Sequence, residues 1–421
     1  MPYRRLLAKV PRLLLFLTAA SVLICAAWAT PQYKVLYGFT GTSDGGGLWG
    51  SVVFDKKANL YGTTSGGGAH GQGTVFKLKH QPSGQWTEKV LHSFQIDDDG
   101  YSLNGGLTFD PTGDLYGVTT LGGPFGHGTA FQMRPKREGW LLTILYSFCA
   151  QPNCSDGGSP YAGPLRDADG NLYGTNGSVY ELSPGPGGWT ESVLYTFCSD
   201  SKCPNGEGPY AGLVLDAKGN LFGTTEYGGI YPPQCPVGNG CGVVYKLRHM
   251  PDGTWKQRVL HTFASFPNDG VKPAVGALAF DGDGKLYGTT NQGGKNVCDT
   301  TYCGTIFRLT RQPNGHWKET ILYNFRKGSS GNGPGAGVVI DSAGNLYGTT
   351  IYGGTQCDCG VVYKLAPNGD GTWTYTVLHQ FTGFDGAQPD ANLILDDQGN
   401  LYGTTSTGGP GGAGVVFQIT P

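Results

Sequence analysis

The chain repeats one hydrophobic and polar pattern seven times. Each unit has an apolar segment, an Asp-x-x-Gly turn, the segment Leu-Tyr-Gly-Thr-Thr or a close copy, a glycine-rich loop, and two further apolar segments, the last of which usually starts at Trp. The leucine of the repeated segment recurs every 49 to 65 residues, at Leu60, Leu115, Leu172, Leu221, Leu286, Leu346 and Leu401. A period of this length predicts a solenoid or a propeller.

One unit shows four strand-like segments, at 211–216, 220–225, 242–247 and 255–263. They are rich in Val, Leu, Tyr, Trp and Thr and are bounded by turn residues, a composition that favours short strands. Four antiparallel strands per repeat are typical of a propeller blade.

The two ends of the pattern favour a closed ring over a solenoid. The last repeat stops one segment short, at 414–419, and the missing Val-Leu-Tyr-x-Phe segment stands at the front, at 35–39. In a ring, this first strand completes the last blade and covers an edge that would otherwise pair with other chains. The sequence therefore predicts an all-β, seven-bladed propeller with four antiparallel strands per blade, closed by the N-terminal strand.

The repeated letters are best explained as scaffold. Side chains of Leu-Tyr-Gly-Thr-Thr alternate between the two faces of a blade, and we expect its glycine to let a neighbouring blade approach closely. The recurring Trp is assigned to the core. His92, His261 and His379 stand where other blades have Tyr, so we expect a structural aromatic role for them.

The segments D-x-x-G-N-L-Y-G-T-T at 341–350 and G-V-V-Y-K-L at 360–365 resemble those of the GloVer-repeat, or choice-of-anchor, proteins. This is a family of exported bacterial proteins, and the resemblance covers nearly the whole chain after residue 29. It implies an exported repeat protein, and it implies no particular activity.

Residues 1–29 have the pattern of a signal peptide. Four basic residues precede the apolar stretch 13–27, and Ala27 and Ala29 supply small side chains for cleavage. Cleavage after Ala29 leaves 392 residues, 30–421, which we expect to form one propeller domain that is secreted, periplasmic or bound to the cell surface. The export route stays open, with a lipoprotein route through Cys25 and a twin-arginine route as the weaker alternatives.

Charge limits the partners. Without the leader, 25 Lys and Arg stand against 31 Asp and Glu, a net charge of −6, and no basic cluster is present. This argues against nucleic acid or anionic lipid as a partner. No second long apolar run follows the leader, so we expect no membrane span after its cleavage. We expect a monomer.

Ten cysteines follow residue 29 in five close pairs: Cys149 and Cys154, Cys198 and Cys203, Cys235 and Cys241, Cys298 and Cys303, and Cys357 and Cys359. Each pair stands in a different repeat without a histidine in a ligand-like pattern, so we expect local disulfides rather than zinc sites. The oxidation state of the last pair stays open, because so short a ring is strained.

The positions that break the repeat are the candidates for function. Six residues before the turn Asp, at the start of each innermost strand, the side chains vary: Trp49, Asn104, Tyr161, Tyr210 and Asp390 are the notable ones. Uniform residues would indicate scaffold, so we predict a binding ring around the mouth of the channel. The long loop of the fourth blade adds Tyr227 and Tyr231. Aromatic rings beside Asn and Asp suit sugar rings. The alternative is that the aromatic side chains only plug the channel.

Two functions remain open. The first is a non-catalytic binding propeller for a glycan or an extracellular protein surface. The second is a hydrolase or lyase acting on polysaccharide, with Glu226, Glu207 and Asp390 as candidate carboxyls, or with His70 or His127 as a base beside Lys202 or Lys272 as its cationic partner. We expect no cofactor and no metal. Asp before Gly in five blade connections is ordinary turn chemistry, with a ring of calcium ligands as the alternative.

Overall fold

Seven antiparallel sheets, each built on four principal strands, form the blades of the protein. The structure is a computed structural model that describes residues 30–198, 202–231, 235, 238–264, 267–298 and 301–421, with the backbone alone at 301 and 302. The predicted seven-bladed propeller is confirmed, and Pro31–Pro421 form one compact unit. The predicted signal peptide, residues 1–29, lies outside the described residues.

Each blade runs from a two-residue innermost strand to a long outer strand. The strands are Val53–Phe54, Leu60–Thr64, Thr74–His80 and Trp86–Ser93 in blade one; Thr108–Phe109, Leu115–Thr119, Thr129–Pro135 and Trp140–Ser147 in blade two; Leu165–Arg166, Leu172–Thr175, Ser178–Gly185 and Gly188–Thr196 in blade three; and Val214–Leu215, Leu221–Thr225, Val243–His249 and Trp255–Thr262 in blade four.

Blades five to seven follow the same order. Their strands are Ala279–Phe280, Leu286–Gly293, Thr305–Arg311 and Trp317–Asn324 in blade five; Val339–Ile340, Leu346–Thr350, Val361–Pro367 and Trp373–Gln380 in blade six; and Ile394–Leu395, Leu401–Thr405, Val415–Thr420 and Gln32–Gly38 in blade seven. Additional short elements are the strand Gly270–Pro273, which extends the sheet of blade five, the pair Val297–Cys298 and Thr301–Tyr302, and the 3-10 helix Pro152–Cys154.

The ring closes as the sequence predicts. Gln32–Gly38 pairs antiparallel with Val415–Thr420, and Val35 stands opposite Phe417. The Tyr33 hydroxyl donates a hydrogen bond to the Asp385 carbonyl oxygen (2.6 Å), which ties the first strand to the connection that leads out of blade six. The first and last strands of the described chain therefore share one sheet.

The glycine of the repeated segment serves its own blade, so the expectation that it admits a neighbouring blade was wrong. A Cβ on Gly62 would lie 2.6 Å from Cζ of Phe76, its cross-strand partner in the third strand. An aromatic ring of the third strand covers this glycine in all seven blades. The pattern is therefore a packing rule within each sheet.

Contacts between blades come from other repeated positions. The Tyr61 ring of blade one meets the edge of Trp140 of blade two, with ring centroids 5.9 Å apart. Two residues further along the same strand, the buried Thr63 hydroxyl donates to the Gly105 carbonyl oxygen at 2.9 Å. Equivalent contacts recur around the ring and place the hydrophobic core in the seams between neighbouring blades.

All five predicted disulfides are present, including the Cys357–Cys359 bond that the sequence left open. They lie on one face of the ring, the upper face, which carries the loops between second and third strands and the connections between blades. Within the described residues, no helix is long and apolar enough to cross a membrane.

Candidate functional site

Seven side-chain positions surround the mouth of the central channel on the upper face. Each lies six residues before the turn Asp of its blade: Trp49, Asn104, Tyr161, Tyr210, Val275, Gly335 and Asp390. A cavity of about 500 Å³ opens here, and all of these residues except Tyr210 line it. Val275 completes the ring in blade five, where an additional residue makes the sequence alignment ambiguous.

Glycine makes the channel narrow. A Cβ on Gly50 would lie 2.6 Å from the Gly105 carbonyl oxygen, and a Cβ on Gly105 would overlap the Gly163 backbone. The segments that lead into the innermost strands of neighbouring blades therefore touch backbone to backbone. Because these segments approach so closely, the side chains that they carry at the mouth lie close together.

Blade seven fills the sector of the mouth where blades five and six carry small residues. The Gly337 amide donates to Asn392 Oδ1 at 2.7 Å, so the Asn392 side chain bridges to blade six. A Cβ on Gly335 would lie 2.6 Å from Asp390 Oδ1. The polar side chains of blade seven thus extend toward blade six. The aromatic residues of the mouth come from blades one, three and four.

The aromatic residues keep open ring faces. Trp49 is 37% exposed and Tyr210 is 40% exposed, while Tyr161 is half-buried. Tyr161 and Tyr210 meet edge to face, with centroids 6.2 Å apart and ring planes inclined by 64°. A plug would cover these rings completely. This geometry instead leaves aromatic surface accessible beside the cavity.

Asp390 is the carboxylic acid that blade seven places at the channel mouth. Burial raises the pKa of its carboxyl to about 7, and a hydrogen bond with Ser406 partly offsets this effect. Burial also raises the pKa of Tyr161, with further contributions from the charges of Asp390 and Glu226. The Tyr161 phenol therefore lies within electrostatic reach of both carboxyls, and Asp390 changes its charge near neutral pH.

Glu226, Tyr227 and Lys272 form a second polar group at the mouth. Lys272 Nζ lies 4.0 Å from Glu226 Oε1 and 5.3 Å from the centre of the Tyr227 ring. Glu226 and Lys272 line the cavity. The Lys272 amide donates to the Cys241 carbonyl oxygen at 3.0 Å, so the disulfide-closed loop of blade four holds this lysine in place.

The remaining candidates lie away from the cavity lining. Glu207 exchanges two backbone hydrogen bonds of 2.9 Å with Tyr227 and stands beside the Cys198–Cys203 bond. Tyr231 is half-buried further out in the loop of blade four. His70 and His127 are exposed in the upper loops of blades one and two. The structure therefore brings neither histidine to the channel mouth, where the lyase hypothesis would need a base.

The aspartates of the blade connections do not come together to form one ion-binding site. Each of Asp44, Asp99, Asp156, Asp269 and Asp385 accepts a backbone hydrogen bond from its own connection and pairs with the Tyr or His of the preceding outer strand. They lie in different seams. Their repeated role is to cap the connections.

Sequence comparison within the chain named Glu226 but missed that it belongs to a second ring around the mouth. The residue directly after Leu-Tyr-Gly-Thr-Thr is Glu226 in blade four, Asn291 in blade five and Ile351 in blade six, and these three line the cavity. In blade two it is Thr120, which accepts a hydrogen bond of 3.1 Å from Asn104 Nδ2. The signal was available, because these positions vary while the five letters before them are nearly constant.

Comparisons with known proteins identify the repeat and the fold. The family model described as Gloeobacter/Verrucomicrobia repeat matches residues 22–176 and 299–421. No curated protein sequence matches the chain. A solved structure of PorZ from Porphyromonas gingivalis, described as an essential bacterial surface component of the type-IX secretion system, is similar with a TM-score of 0.51 and 15% sequence identity. The match covers 92% of this chain and 48% of PorZ, so the chain spans about half the length of that protein.

Proposed function

The chain belongs to the Gloeobacter/Verrucomicrobia repeat family, and we propose that it is an exported, non-catalytic binding propeller that holds a glycan at the mouth of its central channel. One observation carries this proposal. Trp49 lines a cavity of about 500 Å³ together with polar Asn104 and Asp390, and both Trp49 and Tyr210 of the same ring stay partly exposed.

The chemistry of the mouth fits a sugar. Aromatic faces pack against the C–H surface of a pyranose ring, and a few fixed polar groups bind its hydroxyls and set its orientation. The cavity lies within the usual range for small-ligand sites, about 300–1,000 Å³. The Glu226 carboxylate balances the charge of Lys272, so this lysine does not make the mouth a site for a polyanion.

An extracellular or surface location supports the same function. Five local disulfides are typical of proteins that fold in an oxidising compartment, and the expected signal peptide would direct the chain there. PorZ, itself a bacterial surface component, is a precedent for this fold outside the cytoplasm. A second class of partner, an extracellular protein surface, would use the same upper face.

A glycan array with residues 30–421 tests the proposal. We expect a group of related oligosaccharides to bind, and we expect soluble oligosaccharide of the same type to compete. Binding to none of the arrayed glycans would contradict the glycan assignment and would favour a protein partner instead.

A polysaccharide hydrolase is the second candidate, because burial raises the pKa of Asp390 to about 7. A general acid needs a pKa near the working pH, and Glu226, which lines the same cavity, is the carboxyl that could serve as its partner. A reducing-sugar assay on any bound polysaccharide separates the two functions. Release of reducing ends that is lost in Asp390→Asn would favour the hydrolase, whereas binding without turnover would favour the binding module.

A further inference from the structure

A repeated contact joins each pair of neighbouring blades at their outer edge. It combines a Tyr or His near the end of one outer strand, an Asp or Asn from the following connection, and the side chain two residues after the Trp position of the next blade. Between blades two and three these are Tyr146, Asp156 and Glu191, and the Tyr146 hydroxyl donates to Asp156 at 2.8 Å. The same three positions therefore provide seven versions of one contact.

Only one version has metal-binding groups at all three positions. Between blades four and five the contact consists of His261, Asp269 and Glu319, whose ligand atoms lie within 4.8 Å of one another. The two other three-residue groups of this kind in the described part of the chain include disulfide-bonded cysteines, which cannot bind a metal as thiolates. The chain thus unites a histidine and two carboxyls at this seam.

The three groups are held in place, and two of them are carboxyls in contact. Asp269 accepts hydrogen bonds from the amides of Ala264 (2.9 Å) and Gly270 (2.7 Å). His261 packs edge-on against Phe263, with ring centroids 4.7 Å apart. The Glu319 carboxyl lies beside the Asp269 carboxyl, and its Oε1 atom is buried. Two ionised carboxylates this close repel each other, and a bound cation would remove that repulsion.

We propose that His261, Asp269 and Glu319 bind a zinc ion. Ligands at a tetrahedral zinc lie about 2.0–2.2 Å from the metal and so about 3.3 Å from one another. His261 Nε2 and Asp269 Oδ2 are already 3.2 Å apart, and a Glu319 carboxyl oxygen lies within 4.8 Å of the other two ligand atoms. Water takes the fourth position. The ion fixes the connection that leads, three residues after Asp269, to Lys272 at the channel mouth.

Other seams provide matched controls. His92 and Asp99 form a direct hydrogen bond of 2.5 Å, and Leu142 takes the third position, where it offers no ligand. Glu191 faces Asp156 as Glu319 faces Asp269, but its seam carries Tyr146 in place of a histidine. These seams contain the separate parts of the proposed site without the complete set.

The test is a zinc titration of metal-stripped residues 30–421, followed by calorimetry and by thermal melting. The site variants are Glu319→Gln and His261→Tyr, the latter being the residue that other blades carry at this position. The control variants are Glu191→Gln and His92→Tyr. Melting without zinc checks that each variant folds.

We expect the unmodified chain and both controls to bind one zinc ion and to melt at a higher temperature with zinc. Each site variant should bind at least about tenfold more weakly, because it loses a direct ligand. Absence of zinc binding by the unmodified chain would overturn the proposal. Equal zinc affinity in the site variants and the controls would also overturn it.

Discussion

Tyr161 and Tyr210 meet edge to face at the mouth of the channel, with ring centroids 6.2 Å apart. They lie just before the innermost strands of neighbouring blades, so their contact depends on how closely the segments that lead into those strands approach. The glycines beneath the mouth permit that approach, as shown by the 2.6 Å that would separate a Cβ on Gly50 from the Gly105 carbonyl oxygen. The geometry of the candidate site therefore depends on how tightly the ring packs.

Gly105→Ala tests this packing. The added Cβ would overlap the Gly163 backbone, and we expect a loss of about 1–3 kcal/mol in the free energy of unfolding, the usual cost of overpacking. Gly66→Ala is the control, because nothing lies within 4 Å of its Cβ position. Urea denaturation measures both, and equal stability of the two variants would show that the innermost strands have room to spare.

Deletion of residues 32–39 tests the closure. It removes the partner of Val415–Thr420 and exposes the edge of blade seven, so we expect aggregation or a large fall in melting temperature. A chain that starts at Pro31 is the control. A truncated chain that stays monomeric and melts normally would show that the first strand does not hold the ring together.

The pH dependence of stability provides a third test. Burial, followed by the charges of Asp44 and Asp156, raises the pKa values of Glu88 and Glu191 from 4.5 to about 7. The folded chain therefore binds these protons more tightly than the unfolded chain. Their contribution to stability is fully present below about pH 4.5 and is lost as the pH rises to about 7.

Glu88→Gln and Glu191→Gln should therefore melt about 1–2 °C above the parent at pH 8, since solvent screens these half-buried groups. At pH 4.5 the difference should vanish. Exposed Glu138→Gln is the control and should change neither value. A gain in melting temperature at pH 4.5 that equals the gain at pH 8 would contradict the assigned cause.

The fold was predictable from two features of the sequence. The pattern repeats seven times, and the strand that the last repeat lacks stands at the front of the chain, which is the arrangement of a closed ring. The role of Gly62 was not, because a sequence pattern shows that a small residue is needed without showing which neighbour needs it. That neighbour is Phe76, a cross-strand partner whose register only the pairing of the strands reveals.

The candidate site was predictable in part. Comparison of equivalent positions selected Trp49, Tyr161, Tyr210 and Asp390 as residues around the channel mouth, since they vary where scaffold residues repeat. The approach of Lys272 to Glu226 was not predictable, because it joins the loop of one blade to the connection that follows it. The contact between His261 and Glu319 was not predictable either, because the two residues belong to different blades.

Trp49→Ala is the most direct test of glycan binding at the channel mouth, with Phe125→Ala as its control. Both side chains are exposed on the upper face, at 37% and 50%, but Phe125 does not line the cavity. We expect Trp49→Ala to weaken binding of the glycan selected on the array by on the order of 1–3 kcal/mol. Its melting temperature should stay unchanged, and Phe125→Ala should bind normally. Unchanged binding by Trp49→Ala, or a loss of binding that only accompanies unfolding, would contradict the site.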